Sequence, residues 1–146
     1  MGVYGYNLFE LVICKVIMAR ILVFGGAGCI GSELAEKLLS EGNEVTVFDS
    51  LYTGKTENLE ACEGKKGFKF TKADMRNLPE VKKAVSALGA EDVIYHLAAN
   101  ADIRGGMENV QLDLEYNAVT AINCLEAMRH SDVRKIVFTS SSAVYG

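Results

Sequence analysis

The stretch Ile21-Leu22-Val23-Phe24-Gly25-Gly26-Ala27-Gly28-Cys29-Ile30-Gly31 decides the fold class. Four apolar residues in a row read as a strand covered on both faces, the glycines as a tight turn, and the amphipathic run from Ile30 onward as a helix. Glycines at 25, 28 and 31 each answer a physical need. The turn must be tight, the backbone must approach a pyrophosphate closely, and the helix must pack on the strand with no side chain between them. The helix N-terminus then offers N–H groups without intrahelical partners, at the positive end of the helix dipole, to the phosphates.

Working outward, four more short β-branched or aromatic runs recur: Val45–Phe48, Phe68–Phe70, Val93–Leu97 and Ile136–Thr139. Helical stripes lie between them. Ile30, Leu34, Ala35, Leu38 and Leu39 form one, and Val81, Ala84, Val85 and Leu88 another, with Pro79 suited to its first turn. A longer helix is expected over about 109–129, burying Val110, Leu114, Ala118, Ala121, Leu125 and Met128. Strand and helix in alternation require right-handed crossovers, so the expected fold is α/β: a doubly wound parallel sheet of the Rossmann type. Ser50 through Lys66 is polar and breaks the rhythm, which marks a loop with one helical turn.

Composition narrows the function. The 146 residues, 49% hydrophobic and 23% charged, suffice for a single domain with its own core. A net charge of −4 without any basic block argues against nucleic acid or a membrane surface as partner. Cys14, Cys29, Cys62 and Cys124 form no C-x-x-C pair, and only His96 and His130 could join them, so neither a metal site nor a disulfide framework is indicated. Free thiols in such a chain fit the cytoplasm. The apolar segment Leu8–Ile17 is interrupted by Glu10 and Lys15 and is too short to span a bilayer. Residues 1–17 are therefore read as an N-terminal extension, with an extra edge strand or helix as the alternative, and 18–146 as the dinucleotide-binding domain.

Asp49 closes the second strand, 18 residues beyond Gly31. A carboxylate there can accept hydrogen bonds from an adenosine ribose and would repel a 2′-phosphate, which selects NAD over NADP. Four motifs in order, Gly25–Gly31, Asp49-Ser50-Leu51-Tyr52-Thr53-Gly54, His96-Leu97-Ala98-Ala99 and Thr139–Gly146, resemble the extended short-chain dehydrogenase/reductases, and within them the NAD-dependent sugar-nucleotide epimerases and dehydratases. The resemblance runs from Met18 to Gly146. It implies that Gly25, Gly28 and Gly31, with the amides of Cys29 and Ile30, hold the pyrophosphate, that Asp49 takes the ribose, and that Asp74 and Met75 take the adenine. Ala98 and Ala99 would line the nicotinamide side, Asn117 would stand near the cofactor, and Ser141 would hydrogen-bond the reacting sugar hydroxyl.

Blander readings stand beside these. Asp74 can cap a turn, the Thr139–Ser142 hydroxyls can bond local backbone, and His96 reads as a core histidine with satisfied partners. Phe24, Cys29 and Thr120-Ala121 depart from the residues common in the family at those places. The family moves its proton with a Tyr assisted by a Lys four residues on, and no Tyr-x-x-x-Lys occurs in these 146 residues. The expectation is an N-terminal piece, ending after the fifth strand, that binds NAD but does not turn over a nucleotide-sugar. Bare apolar surface is expected around Ile136–Phe138. The resemblance allows a homodimer through the long helix. The alternative reading is a non-catalytic NAD-binding regulatory or redox-sensing module.

Overall fold

A computed structural model describes residues 18–141 and Tyr145. The expected extension at 1–17 lies outside the described residues, as do Ser142, Ala143, Val144 and Gly146. The five strands are β1 (Arg20–Phe24), β2 (Glu44–Asp49), β3 (Phe68–Lys72), β4 (Val93–His96) and β5 (Lys135–Phe138), within a residue or two of the periodicity reading. All pair in parallel in the order β3-β2-β1-β4-β5. The order reverses direction at β1, so a crevice opens between the carboxyl ends of β1 and β4.

Side chains alternate across the sheet and build two cores. Ile21, Val23, Val45 and Val47 face helix α1 (Cys29–Ser40) and meet its Ala35, Leu38 and Leu39. Leu22, Phe24, Phe48 and Ile94 face the other way, toward helix α2 (Leu78–Val85), where Val81 and Val85 are fully buried. Pro79 sits in the first turn of α2, where its missing N–H costs nothing. The polar segment after β2 contains the expected single turn, Thr56–Leu59, and it also drives Leu59 and Cys62 into the α1 core.

Two expectations fail. Ile30 is 72% exposed and belongs to the crevice rather than to the core face of α1. The long helix is not uniform either: a separate α3 (Ile103–Glu108) ends at extended Asn109, and the expected span comprises α4 (Val110–Asp113), a π-helical stretch (Leu114–Val119) and α5 (Thr120–Arg129). In α5 the buried residues are Thr120, Asn123, Cys124 and Ala127, whereas Val110, Leu114 and Leu125 are more than half exposed. Three of the four buried positions, Thr120, Cys124 and Ala127, stand one residue before the expected Ala121, Leu125 and Met128, and Met128 itself packs partly buried against the core. Thr120 and Asn123 reach the buried face because each finds a backbone acceptor, Thr120 Oγ1 on the Tyr116 carbonyl at 2.7 Å and Asn123 Nδ2 on the Met75 carbonyl at 2.8 Å, which a stripe counted from apolar residues alone cannot register. Val137 and Phe138 at the β5 edge are exposed, as expected.

Candidate functional site

At the head of the crevice, Gly25 turns back from β1 with φ of +75°, and a Cβ there would lie 2.7 Å from the Ala98 amide nitrogen. Only glycine serves both demands. Gly31 faces the turn from the first coil of α1, where a Cβ would stand 2.4 Å from the Gly25 carbonyl oxygen and 2.6 Å from Gly26 Cα. Gly28 differs from both. Its φ is −76°, and a Cβ would meet only the Gly25 carbonyl, at 3.4 Å. The fold itself would accept a side chain at 28, so the space in front of it is left for something outside the chain. Cys29 and Ile30, both exposed, open α1, and their N–H groups belong to the first turn, which has no intrahelical acceptor.

Asp49 stands directly behind this turn. It is buried, and its two oxygens accept from backbone: Oδ2 from the Ala27 amide at 2.9 Å and Oδ1 from the Leu51 amide at 2.8 Å. The opposite side of the same residue is also held, because the Ala27 carbonyl accepts from the Lys55 amide at 3.0 Å and from Asn58 Nδ2 at 2.8 Å. Ala27 is thus clamped between the end of β2 and the loop that follows it. The sequence reading missed Asn58, since nothing in a polar loop marks which amide folds back onto a turn 31 residues away.

Asp74 and Met75 follow β3 and line the crevice. Arg76 engages both carboxylate oxygens of Asp74, with Nη2 to Oδ2 at 2.7 Å and Nε to Oδ1 and Oδ2 at 3.1 and 3.0 Å. The Arg76 hydrogen bond holds the Asp74 carboxyl below its ordinary range. Asn123, nearly buried on α5, donates to the Met75 carbonyl at 2.8 Å and fixes this corner from beneath. Ala98 and Ala99, past the end of β4, complete the opposite wall, and Thr139 and Ser140 close it from β5.

Two expected residues stand apart from the crevice wall. Asn117 sits in the π-helical stretch, but its Oδ1 accepts from the Asn100 amide at 2.8 Å and its Nδ2 donates to Asp113 at 3.3 Å. It therefore ties down the segment after β4, while Tyr116 and Thr120 line the crevice in its place. Ser141 is exposed, one residue beyond Ser140. His96 is a core residue, 2% exposed, yet its Nε2 has no hydrogen-bond partner among the described residues. Burial holds its imidazole below the ordinary range. The expectation of a fully satisfied histidine is not met.

The crevice encloses about 460 Å³ and holds ten of the eleven residues expected to contact a dinucleotide. It runs along the carboxyl ends of the strands at the topological switch point, where open α/β sheets take their ligands. Residues 21–146 match the NAD dependent epimerase/dehydratase family. The chain belongs to that family.

Within the family, the UDP-glucose 4-epimerase of Mycolicibacterium smegmatis is 40% identical over 131 residues, which cover 87% of this chain and 40% of that protein. The UDP-glucuronic acid decarboxylase 1 of Danio rerio is 37% identical over 128 residues, covering 87% of this chain and 28% of the relative. Among solved structures, the Thermus thermophilus UDP-glucose 4-epimerase in complex with NAD is 41% identical, with a TM-score of 0.73 over 84% of this chain and 37% of that one. The chain thus spans about two fifths or less of these relatives. Family members of different activity share this portion. No helix among the described residues is long and apolar enough to cross a membrane, and no group of three His, Cys, Asp or Glu among them could hold a metal ion.

Proposed function

We propose that this chain is the NAD-binding portion of a nucleotide-sugar epimerase or dehydratase resembling UDP-glucose 4-epimerase. One observation carries the reading: the Gly25–Gly31 turn, Asp49, Asp74 with Met75, and Ala98 with Ala99 wall a single crevice at the carboxyl ends of the strands. The turn suits a pyrophosphate because Gly28 leaves its approach open and the first amides of α1 are unspent. Asp49 keeps lone pairs for a ribose while bracing the turn, and its charge disfavours a 2′-phosphate. Ala98 and Ala99 let the second ribose come close. Bound NAD would supply a hydride acceptor. The chain's own part is to seat it, with Ser141 orienting a sugar hydroxyl.

A positioned general base contributes about 10²–10⁴ in rate, and the Tyr-x-x-x-Lys sequence that would furnish it does not occur here. The 146 residues are therefore expected to bind NAD without turning over UDP-sugars. Exposed Val110, Leu114, Ile122 and Leu125 give two copies an apolar surface on which to pair, and we place the chain in the cytoplasm.

Calorimetric titration of the purified chain tests the cofactor assignment. NAD should bind tighter than NADP, and Asp49→Asn should narrow the difference. Equal or tighter NADP binding refutes the role given to Asp49, and epimerisation of UDP-glucose by the isolated chain refutes the expected lack of turnover.

A further inference from the structure

A three-layer stack of side chains crosses the crevice near Asp49 and Asp74. The ring of Tyr52 lies 4.6 Å from that of Tyr116 at an interplanar angle of 19°, and the Arg76 guanidinium carbon lies 4.4 Å from the Tyr116 centroid. A parallel ring fills one face of Tyr116, so the cation takes the other. The two ends of this stack are anchored very differently. Arg76 is gripped by Asp74 and by Glu115, and Asn123 donates to its carbonyl at 3.1 Å. Tyr52 is 56% exposed and sits on a loop, three residues past Asp49. Leu51 before it adopts φ of +61°, a left-handed conformation unusual for leucine, which swings the chain out of line with β2.

Topology gives this contact its meaning. The loop that carries Tyr52 continues into Leu59 and Cys62, in the core on the α1 side of the sheet. Tyr116 leads into α5, whose Cys124 and Ala127 pack in the core on the α2 side. The two rings therefore meet across the carboxyl edge of the sheet, and both line the crevice. The glycine turn, Asp74 and both rings line one crevice, so a dinucleotide reaching from the turn to Asp74 runs past the two tyrosines.

We propose that Tyr52 and Tyr116 form a latch over the adenosine half of the bound dinucleotide, with Tyr52 as the moving part and the Arg76-backed Tyr116 as the fixed catch. This rests on the proposed binding of NAD and extends it: Tyr52 controls how fast the cofactor enters and leaves. Aromatic pairs of this kind shift equilibria by about 2- to 12-fold. Breaking the latch should raise the dissociation rate by about three- to tenfold on that scale, with only a small fall in thermal stability, since Tyr52 belongs to neither core.

The test uses the full chain loaded with NADH and mixed rapidly with excess NAD, following the loss of bound NADH fluorescence. Tyr52→Ala and Tyr116→Leu should each release NADH faster, the double variant no faster than either single one, and Tyr52→Phe at the wild-type rate. ADP-ribose, which keeps the adenosine half, should show the same acceleration in competition. Unchanged release from Tyr52→Ala overturns the latch. Tighter binding by that variant also overturns it, because Tyr52 would then be occupying the purine's own seat. A wild-type chain that binds no NADH or NAD overturns the cofactor reading itself, and is told apart from both by the absence of any signal.

Discussion

Two substitutions of the same kind, three residues apart, should have opposite consequences. Gly31→Ala places a methyl group 2.4 Å from the Gly25 carbonyl oxygen and 2.6 Å from Gly26 Cα. Both obstacles are backbone atoms of a turn held by β1 and by the Gly25 amide bond to the Phe48 carbonyl at 2.9 Å, so neither can yield cheaply. Overpacking of this sort costs about 1–3 kcal/mol, against about 1 kcal/mol gained from replacing glycine in a helix. With backbone on both sides the upper end of the cost applies, leaving a net loss of about 2 kcal/mol. In a domain of this size that lowers Tm by roughly 6–10 °C. Gly28→Ala meets only one atom at 3.4 Å, at a φ any residue adopts. At the helix N-cap, where glycine ranks well above alanine, the change costs about 0.5–1 kcal/mol, so Tm should fall by about 2–5 °C. Its methyl group stands where the pyrophosphate must approach, and NAD affinity should drop at least about tenfold, or about 1.4 kcal/mol. Thermal melts and NAD titrations of both variants decide the matter. Gly28→Ala with wild-type NAD affinity would refute the phosphate assignment, and Gly31→Ala with a wild-type Tm would refute the packing argument.

Asn58→Ala removes the 2.8 Å bond to the Ala27 carbonyl and should cost about 1 kcal/mol in urea melts; Asn58→Asp, which sets a carboxylate against that carbonyl, should cost more, and equal stability of all three proteins counts against the clamp. His96 gives the fold a pH dependence. Burial holds its folded pKa below the unfolded 6.5, so its full contribution is present above pH 6.5 and is lost as the pH falls toward the folded value, because the unfolded chain then binds a proton the folded one refuses. Stability should decline between pH 7 and 5 by at most about 1.4 kcal/mol per unit, a slope that His96→Leu should flatten. Asp74 and Asp92, also held low, act only below their ordinary 3.8 and leave this window clear. Iodoacetamide should label exposed Cys29 well before buried Cys62 and Cys124, and saturating NAD should protect it; peptide mapping that shows no protection contradicts a pyrophosphate at the α1 terminus.

The sequence alone determined the sheet and the glycine turn at its carboxyl edge. Continuous apolar runs name parallel strands because such strands are covered on both faces, and glycine spacing names a tight strand-to-helix turn because sterics at Gly25 and Gly31 admit nothing else. Asp49 was legible from its place at the end of a strand, whereas Asp74, Ala98 and Ala99 were named by the family resemblance alone; all four line one crevice because strand ends converge in this topology. Tertiary structure alone decided what depends on distance through space. It revealed the backbone acceptors that let Thr120 and Asn123 turn inward in place of Ala121 and Leu125. It also set Asn58 on a carbonyl 31 residues away, and it laid Tyr52 on Tyr116 across the sheet edge. Periodicity reports which residues avoid water along one element. It carries no information about which polar side chains find a buried acceptor or about which two loops meet, because those are fixed only when every element packs at once.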